Sequence, residues 1–304
     1  MLLRHLETIV AIADEGSFTA AADALNTVQS NVSDQIRQME QELGVPLLVR
    51  GRRGAVPTEF GVVVLERARR VLRELEAMRA DLSMIQGLEA GSARLGVVGT
   101  ASRWLVPELA ADLRVRAPGI RLRINEGASE RLFVEVVEGE LAQAVVTLPV
   151  DDRRLVVDYL LDEELVALIG PDHELPRAPV PLAAVAKLPL VLPPEGNPLR
   201  IELEATAVSQ GISLNVPLEV EGIRLIADVV AAGSFASILP ETAVPPDLGV
   251  MRALKIADVP PRRLAFVTAR DAQLSLADRA VRESVERLVA QRASRSSRTR
   301  RPRR

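Results

Sequence analysis

The 304-residue sequence predicts an α/β chain in three parts: a helix-turn-helix head with a winged hairpin, one long helix, and a two-lobed α/β body. Three observations carry that fold class. Residues 1–57 run helix, Gly-turn, short helix, tight turn, helix, then a basic Gly-rich loop between two apolar stretches. Residues 64–85 repeat an apolar position every 3.5 residues. Residues 91–292 alternate strand-like and helix-like stretches, the pattern of a sheet covered on both faces.

In the head, Leu3, Leu6, Val10 and Ala13 fall on one helical face. Gly16 ends that helix. Ser17 can cap a second, short helix ending near Leu25, with Ala21 and Ala22 small enough for a close helix crossing. Asn26-Thr27-Val28 makes the turn. The third helix places Val32, Ile36, Met39 and Leu43 inward and stops at Gly44. Leu47-Leu48-Val49 and Val56-Pro57 then flank Arg50-Gly51-Arg52-Arg53-Gly54, which predicts the wing.

In the long helix, Val64, Ala68, Val71, Leu75, Met78, Leu82 and Ile85 are separated by four and three residues in turn, as in a coiled-coil seam. Arg67, Arg69, Arg70, Arg73, Glu74, Glu76 and Arg79 leave this the one wide apolar stripe. A seam needs a partner, so these seven residues predict dimerisation. The plainer alternative is a helix packed on its own domain.

The body predicts strands at 93–99, 120–125, 143–148, 190–192, 218–220, 235–239 and 263–267, with helices at 104–115, 132–137, 199–210, 223–232 and 274–289, and the chain passes through 159–169 from the first set to the second. Strands alternating with helices imply a parallel sheet. A last strand and helix that return to the first lobe give two crossover strands and a cleft. The expected divisions are a head at 1–58, a linker helix at 59–90 and a body at 91–292. Within the body, lobe I takes 91–161 and 266–292, and lobe II takes 162–265. Residues 293–304 carry six arginines and no acid, and predict a disordered basic tail.

Composition excludes several classes of function. Cysteine is absent, which removes disulfides, thiol catalysis, thiolate metal sites and cysteine redox sensing. Two histidines far apart, His5 and His173, rule out a multi-histidine metal centre in one chain. No nucleophile elbow, P-loop, dinucleotide fingerprint or H-E-x-x-H occurs, so no catalytic residue, metal or cofactor is expected. No run of 18 apolar residues and no signal-peptide pattern appear, so the expectation is a cytoplasmic chain without a membrane partner.

At this point the residues resemble the LysR-type transcriptional regulators. Gly16-Ser17-Phe18-Thr19 with Ala21-Ala22 and Leu25 is similar to the family's second helix, and Gln29, Val32-Ser33 and Gln35-Ile36 to its recognition helix. Glu40, Leu43-Gly44-Val45-Pro46-Leu47 and Arg50 resemble the approach to the wing, and Thr58-Glu59-Phe60-Gly61 the start of the linker helix. Gly139-Glu140-Leu141, Val229-Val230-Ala231-Ala232-Gly233 and Leu239-Pro240 resemble turns of the effector domain. The resemblance implies a winged helix-turn-helix, a dimerising linker helix and an effector domain like periplasmic binding proteins. It also implies dimers of dimers on partly palindromic operators, with a small molecule altering the DNA contacts, and RNA polymerase as a partner of an activator. The chain departs from the pattern at Val28 (usually Ser), Asn31 and Asp34 (usually Ala and Arg), Leu48 (usually Phe) and Ala142-Gln143 (usually an Asp-containing pair).

With Val32, Ile36, Met39 and Leu43 inward, Gln29, Ser30, Asn31, Ser33, Asp34 and Arg37 face out. Asn or Gln can bond adenine bidentately, and Arg37 can take guanine or phosphate. Ser17, Thr19 and Ser33 are candidates for phosphate contacts. Arg50, Arg52 and Arg53 would track the flanking backbone or minor groove. Against this, residues 1–58 hold five arginines and seven acids, a net charge of 5 − 7 = −2, so a single head should bind weakly. Two or four heads on one operator compensate through effective concentration.

Ligands of open α/β sheets bind at the carboxyl ends of strands. That selects Thr100, Ser102 and Arg103, then Ser129, Thr147, Asn197 and Arg200 as effector contacts, with Phe235 as a cleft-lining candidate. Hydroxyls, backbone N–H groups and an arginine favour a small anion. For Ser102 and Ser129 the alternative is an ordinary helix cap, for Arg200 a surface salt bridge, and for Phe235 a core position. The competing functions are an enzyme on the two-lobed scaffold and a binding or structural protein whose helix-turn-helix has lost DNA.

Overall fold

The computed structural model describes residues 1–51, 54–85 and 91–299, which form two compact units. Unit 1 contains α1 (Leu3–Glu15), α2 (Phe18–Ala24), α3 (Gln29–Leu43), β1 (Leu48–Gly51), β2 (Gly54–Pro57) and α4 (Glu59–Ile85). Its core joins Leu6, Ile9 and Ile12 of α1 to Ala21 and Ala22 of α2 and to Val32, Ile36 and Met39 of α3. Leu43, expected inside, is exposed where α3 ends at Gly44. Ser17 caps α2, its hydroxyl accepting from Ala20 N at 3.1 Å. Val28 gives α3 no side-chain cap, and the neighbouring Thr27 hydroxyl instead accepts from Asn31 Nδ2 at 3.1 Å.

The wing pairs antiparallel from Leu48↔Pro57 to Gly51↔Gly54. Its base is built on close approach: a Cβ on Gly54 would lie 2.1 Å from Gly16 O, and one on Gly61 would lie 2.0 Å from Leu47 O. Thr58 bolts the start of α4 to the strand before it. Its N–H donates to Leu47 O at 2.9 Å, its hydroxyl donates to Pro46 O at 2.7 Å, and that hydroxyl accepts from Gly61 N at 3.0 Å.

The seam expectation is corrected at its upper end. Ala68 is 1% exposed and lies with Leu65 in the head's own core, and Val64 and Leu72 pack against that core. The first turns of α4 therefore lie on α1, because the two-turn hydrophobic stripe of α4 is the nearest apolar cover for α1. Val71, Met78, Leu82 and Ile85 remain exposed, and Leu75 is half-buried.

Unit 2 continues with β3 (Ser92–Val98), α5 (Gly99–Arg116), β4 (Arg121–Gly127), α6 (Ser129–Val137), β5 (Gln143–Thr147) and β6 (Leu155–Glu163). Next come β7 (Leu165–Ile169), α7 (Leu182–Val185), β8 (Val191–Leu192), α8 (Pro198–Ser209), β9 (Leu218–Glu219), α9 (Ile223–Ala231) and β10 (Ala236–Pro240). A short turn of 3-10 helix (Glu241–Ala243), β11 (Arg252–Lys255), β12 (Arg262–Ala269) and α10 (Leu276–Thr299) complete it. The lobe I sheet has the order β4-β3-β5-β12-β6. It is mixed, not parallel as expected: β3 runs parallel to β4 and β5, while β12 is antiparallel to β5 and β6. β12 returns directly from the other lobe without an intervening crossover helix, so nothing obliges it to run parallel. Lobe II holds the antiparallel set β10-β7-β11 and the parallel pair β8-β9, joined by a Leu190–Ala236 bridge.

The passage over 159–169 from the first set of elements to the second is made by two strands, β6 and β7, which meet at Glu164, where the chain leaves lobe I for lobe II. Both crossover strands extend the lobe I sheet as far as the pair Glu163↔Arg262. Residues 293–299, expected as disordered tail, are the last turns of α10, since no Gly or Pro interrupts the helix between 276 and 299. Residues 300–304 lie outside the described part. Among the described residues no helix is long and apolar enough to cross a membrane.

Candidate functional site

The outer face of α3 carries Gln29, Ser30, Asn31, Asp34 and Arg37 exposed and Ser33 half-buried, with Thr19 exposed and Ser17 half-buried at the start of α2. Asp34, the one acid in this row, is paired: Arg37 Nη1 lies 3.0 Å from its Oδ1, with both side chains in solvent. An exposed pair of this kind contributes little and is readily exchanged. The other side of the helix is held from two directions. Gln35 Oε1 accepts from the Thr8 hydroxyl of α1 at 2.5 Å, and Glu40 Oε1 accepts from the backbone N–H groups of Leu47 and Leu48 at 2.8 and 3.3 Å. Glu40 thereby sets the angle between α3 and the wing. Arg50 stands on β1, but its side chain, like residues Arg52 and Arg53, lies outside the described part.

In unit 2 the structure divides the effector candidates into three groups. Thr100, Ser129 and Thr147 gather at one edge of lobe I, where β3, β4 and β5 end and α5 and α6 begin. All three are buried, and the Ser129 hydroxyl accepts from Thr147 N at 3.1 Å. Ser102 and Arg103, expected in a loop, belong to the first turns of α5, which starts at Gly99 instead of Trp104. Ser102 is turned inward: its hydroxyl lies 3.0 Å from Gly99 O, to which it can donate, and 2.6 Å from Glu126 Oε2. Burial, with Arg224 nearby and Asp228 opposing, shifts the Arg103 guanidinium downward. The second group serves α8. Asn197 caps it, accepting from Leu199 N at 3.0 Å, and buried Arg200 is already paired with Glu204 at 2.5 Å and Glu219 at 3.5 Å. Phe235 stands apart and packs against the lobe II core.

The structure adds residues that the sequence reading missed. Arg262, first in β12, has a side chain only 3% exposed, yet it carries a full charge into the junction of the lobes. Its Nε donates to Glu202 Oε2 of α8 at 2.8 Å and its Nη2 to the Thr147 hydroxyl at 3.1 Å. Beside it Glu163 is buried, and its carboxylate accepts from the Thr242 hydroxyl. Burial pushes the Glu163 carboxyl up, toward its neutral form. The sequence signal for Arg262 was slight: an arginine directly after Pro260-Pro261, opening a strand that is otherwise apolar on its buried face.

A model of the LysR substrate binding domain matches residues 86–290, and a model of the bacterial regulatory helix-turn-helix proteins of the lysR family matches residues 3–62. The chain belongs to the LysR-type transcriptional regulators. It is 29% identical over 248 residues to the DNA-binding transcriptional dual regulator OxyR of Escherichia coli K12, covering 81% of each chain. It is 30% identical over 244 residues to the nitrogen assimilation regulatory protein nac of Klebsiella aerogenes, covering 80% of this chain and 79% of the relative. A full-length cysteine-to-aspartate variant of OxyR from Pseudomonas aeruginosa superposes with a TM-score of 0.72 at 25% identity, over 95% of this chain and 94% of that one. CbnR in complex with its target DNA shares the fold, with a TM-score of 0.66 at 20% identity over 94% and 99%. This LysR-type regulator is thus a DNA-binding protein whose N-terminal unit is the helix-turn-helix domain and whose C-terminal unit is the effector-binding domain.

Proposed function

We propose that the regulator binds a double-stranded operator as a homodimer, with α3 of each head in the major groove, and that a small anionic effector between the lobes changes those contacts. The observation that carries this is the outward row of α3, polar and mostly exposed, on a helix whose opposite face is packed through Val32, Ile36 and Met39. In this reading Gln29, Ser30 and Asn31 read base edges, adenine above all, while Arg37 leaves Asp34 for guanine or phosphate. Ser17, Thr19 and Ser33 hold phosphates, and Arg50, Arg52 and Arg53 follow the flanking backbone. The exposed stripe Val71, Leu75, Met78, Leu82 and Ile85 supplies the dimer contact, and two dimers form a homotetramer. As an activator it would contact RNA polymerase, in the cytoplasm and without a membrane.

The effector reading rests on Thr100, Ser129 and Thr147 at two adjoining helix N-termini, where backbone N–H groups favour an anion. Some relatives are named for hydrogen peroxide, but a thiol response to peroxide is closed to this chain, which has no cysteine. The test is selection of bound fragments from a genomic library by the full-length chain, followed by gel shifts in the presence of a metabolite library. Retention of specific fragments, released or remodelled by at least one small molecule, is expected. If no fragment is retained at low salt, the DNA reading is wrong.

A further inference from the structure

Resting on the effector reading, we propose that Arg262 is the anchor for a carboxylate group of the effector and that Glu202 occupies its place until the effector arrives. Arg262 is unusual in its surroundings. Its guanidinium is almost wholly enclosed, and it reaches both lobes at once, Thr147 of lobe I through Nη2 and Glu202 of lobe II through Nε. Its Nη1 is buried and has no partner among the described residues. A buried donor without a partner is costly, and the charged donors of a guanidinium suit carboxylate oxygens.

The neighbouring groups fit the same ligand. Thr100, 5% exposed, has a hydroxyl with no partner among the described residues. It stands in the first turn of α5, and the register of β3 with β5 puts the start of that helix beside Thr147. The candidate site thus offers two unengaged donors, Thr100 Oγ1 and Arg262 Nη1, together with the start of α5. Glu163 does not supply the missing anion, because its enclosure favours the neutral acid and its other oxygen already accepts from Thr242.

Glu202 is the displaceable partner. Its side chain is 34% exposed against 3% for Arg262, so it can swing into water at little cost while Arg262 cannot. Exchange of one carboxylate for another leaves the charge on Arg262 balanced throughout. It also frees lobe II from its ion pair with Arg262, so that arrival of the ligand is felt as a change in how the lobes are tied.

The test uses the full-length chain, thermal melting at constant ionic strength, and benzoate and succinate as probes beside their neutral amides, benzamide and succinamide. Glu202→Gln keeps the shape and removes the competing charge. It should bind at least one of the two carboxylates about tenfold more tightly than the parent chain, and the amides should shift neither protein. Arg262→Lys should lose that binding. Should Arg262→Lys melt before ligand is added, Thr147→Val, which removes the hydroxyl that orients Arg262, should weaken it instead. Equal or weaker carboxylate binding by Glu202→Gln, no shift by either carboxylate in either protein, or equal shifts by the amides would each overturn the inference. None of these results touches the effector reading, which fails only if no member of the metabolite library alters DNA binding.

Discussion

Helix starts in two regions of this chain are built from similar polar side chains and put to opposite use. At α3, Gln29, Ser30 and Asn31 are exposed and the helix has no side-chain cap. At α5 and α6, Thr100, Ser102 and Ser129 are buried, and two of the three are spent on hydrogen bonds within the protein. The first arrangement suits a large polyanion that approaches from outside and must be read along its length. The second suits a small ligand that must be enclosed before it is felt. What separates them is not the residue types but whether a neighbouring element covers the helix end.

The comparison can be tested in descending order of effect. Leu75→Asp attacks the multiplicity on which the exposed site depends, because a head of net charge −2 should hold DNA poorly alone. Operator affinity should fall about a hundredfold, measured by fluorescence anisotropy, with the melting of unit 2 unchanged. Equal binding by a monomer would break the argument. Asn31→Ala should cost about 1–3 kcal/mol on the selected operator and relax the preference at one base pair, while non-specific binding stays the same in the same titration. Ser129→Ala acts on the enclosed site and should leave DNA affinity alone. It strips the buried Thr147 N–H of its acceptor and should lower unit 2 stability by about 1–2 kcal/mol in urea unfolding.

A pH effect belongs to the head. Burial, with Arg4 and the N-terminal ammonium, holds His5 below its usual value of 6.5. The unfolded chain therefore takes up the proton first. Head stability is complete above the unfolded value and is lost as pH falls through it toward the lower folded value. The opening free energy of the α1 amides, taken from hydrogen exchange after correction for the intrinsic rate, should fall below about pH 6.5, and His5→Gln should flatten that dependence. Thr100→Val gives the smallest effect. Its hydroxyl is buried with no partner among the described residues, so the isosteric change should not lower stability without ligand and should raise it by up to about 1 kcal/mol. A large loss there would mean that the hydroxyl is already engaged.

The head was the more legible unit, since α1 and α3 are amphipathic and closed by Gly16 and Gly44, and local periodicity decides them. Val32, Ile36 and Met39 lie where that period puts them. Ala68 shows the limit: a stripe says that a face is covered but not by what, and α1 covers the upper part of this one. In the body, alternating strands and helices announced two lobes, but strand direction leaves no mark on residue period, so the antiparallel return of β12 was not readable. The candidate site was half legible. Hydroxyls at strand ends could be picked out, yet whether Ser102 points inward or Arg200 reaches Glu219 depends on residues that only the fold brings together. Arg262 was lost among 36 arginines, because what distinguishes it is enclosure, not sequence context.

The joint between Leu47 and Gly61 has one more consequence. A helix start that leaves no room for even a methyl group, with Thr58 clamped to the preceding strand and Leu65 and Ala68 sunk into the head, has no swivel at its base. Torque applied along α4 reaches the wing and α3 as rotation of one solid piece. The lever arm is the 27-residue helix itself, about 40 Å long at 1.5 Å per residue, so a small angular change along it moves its ends by several ångströms.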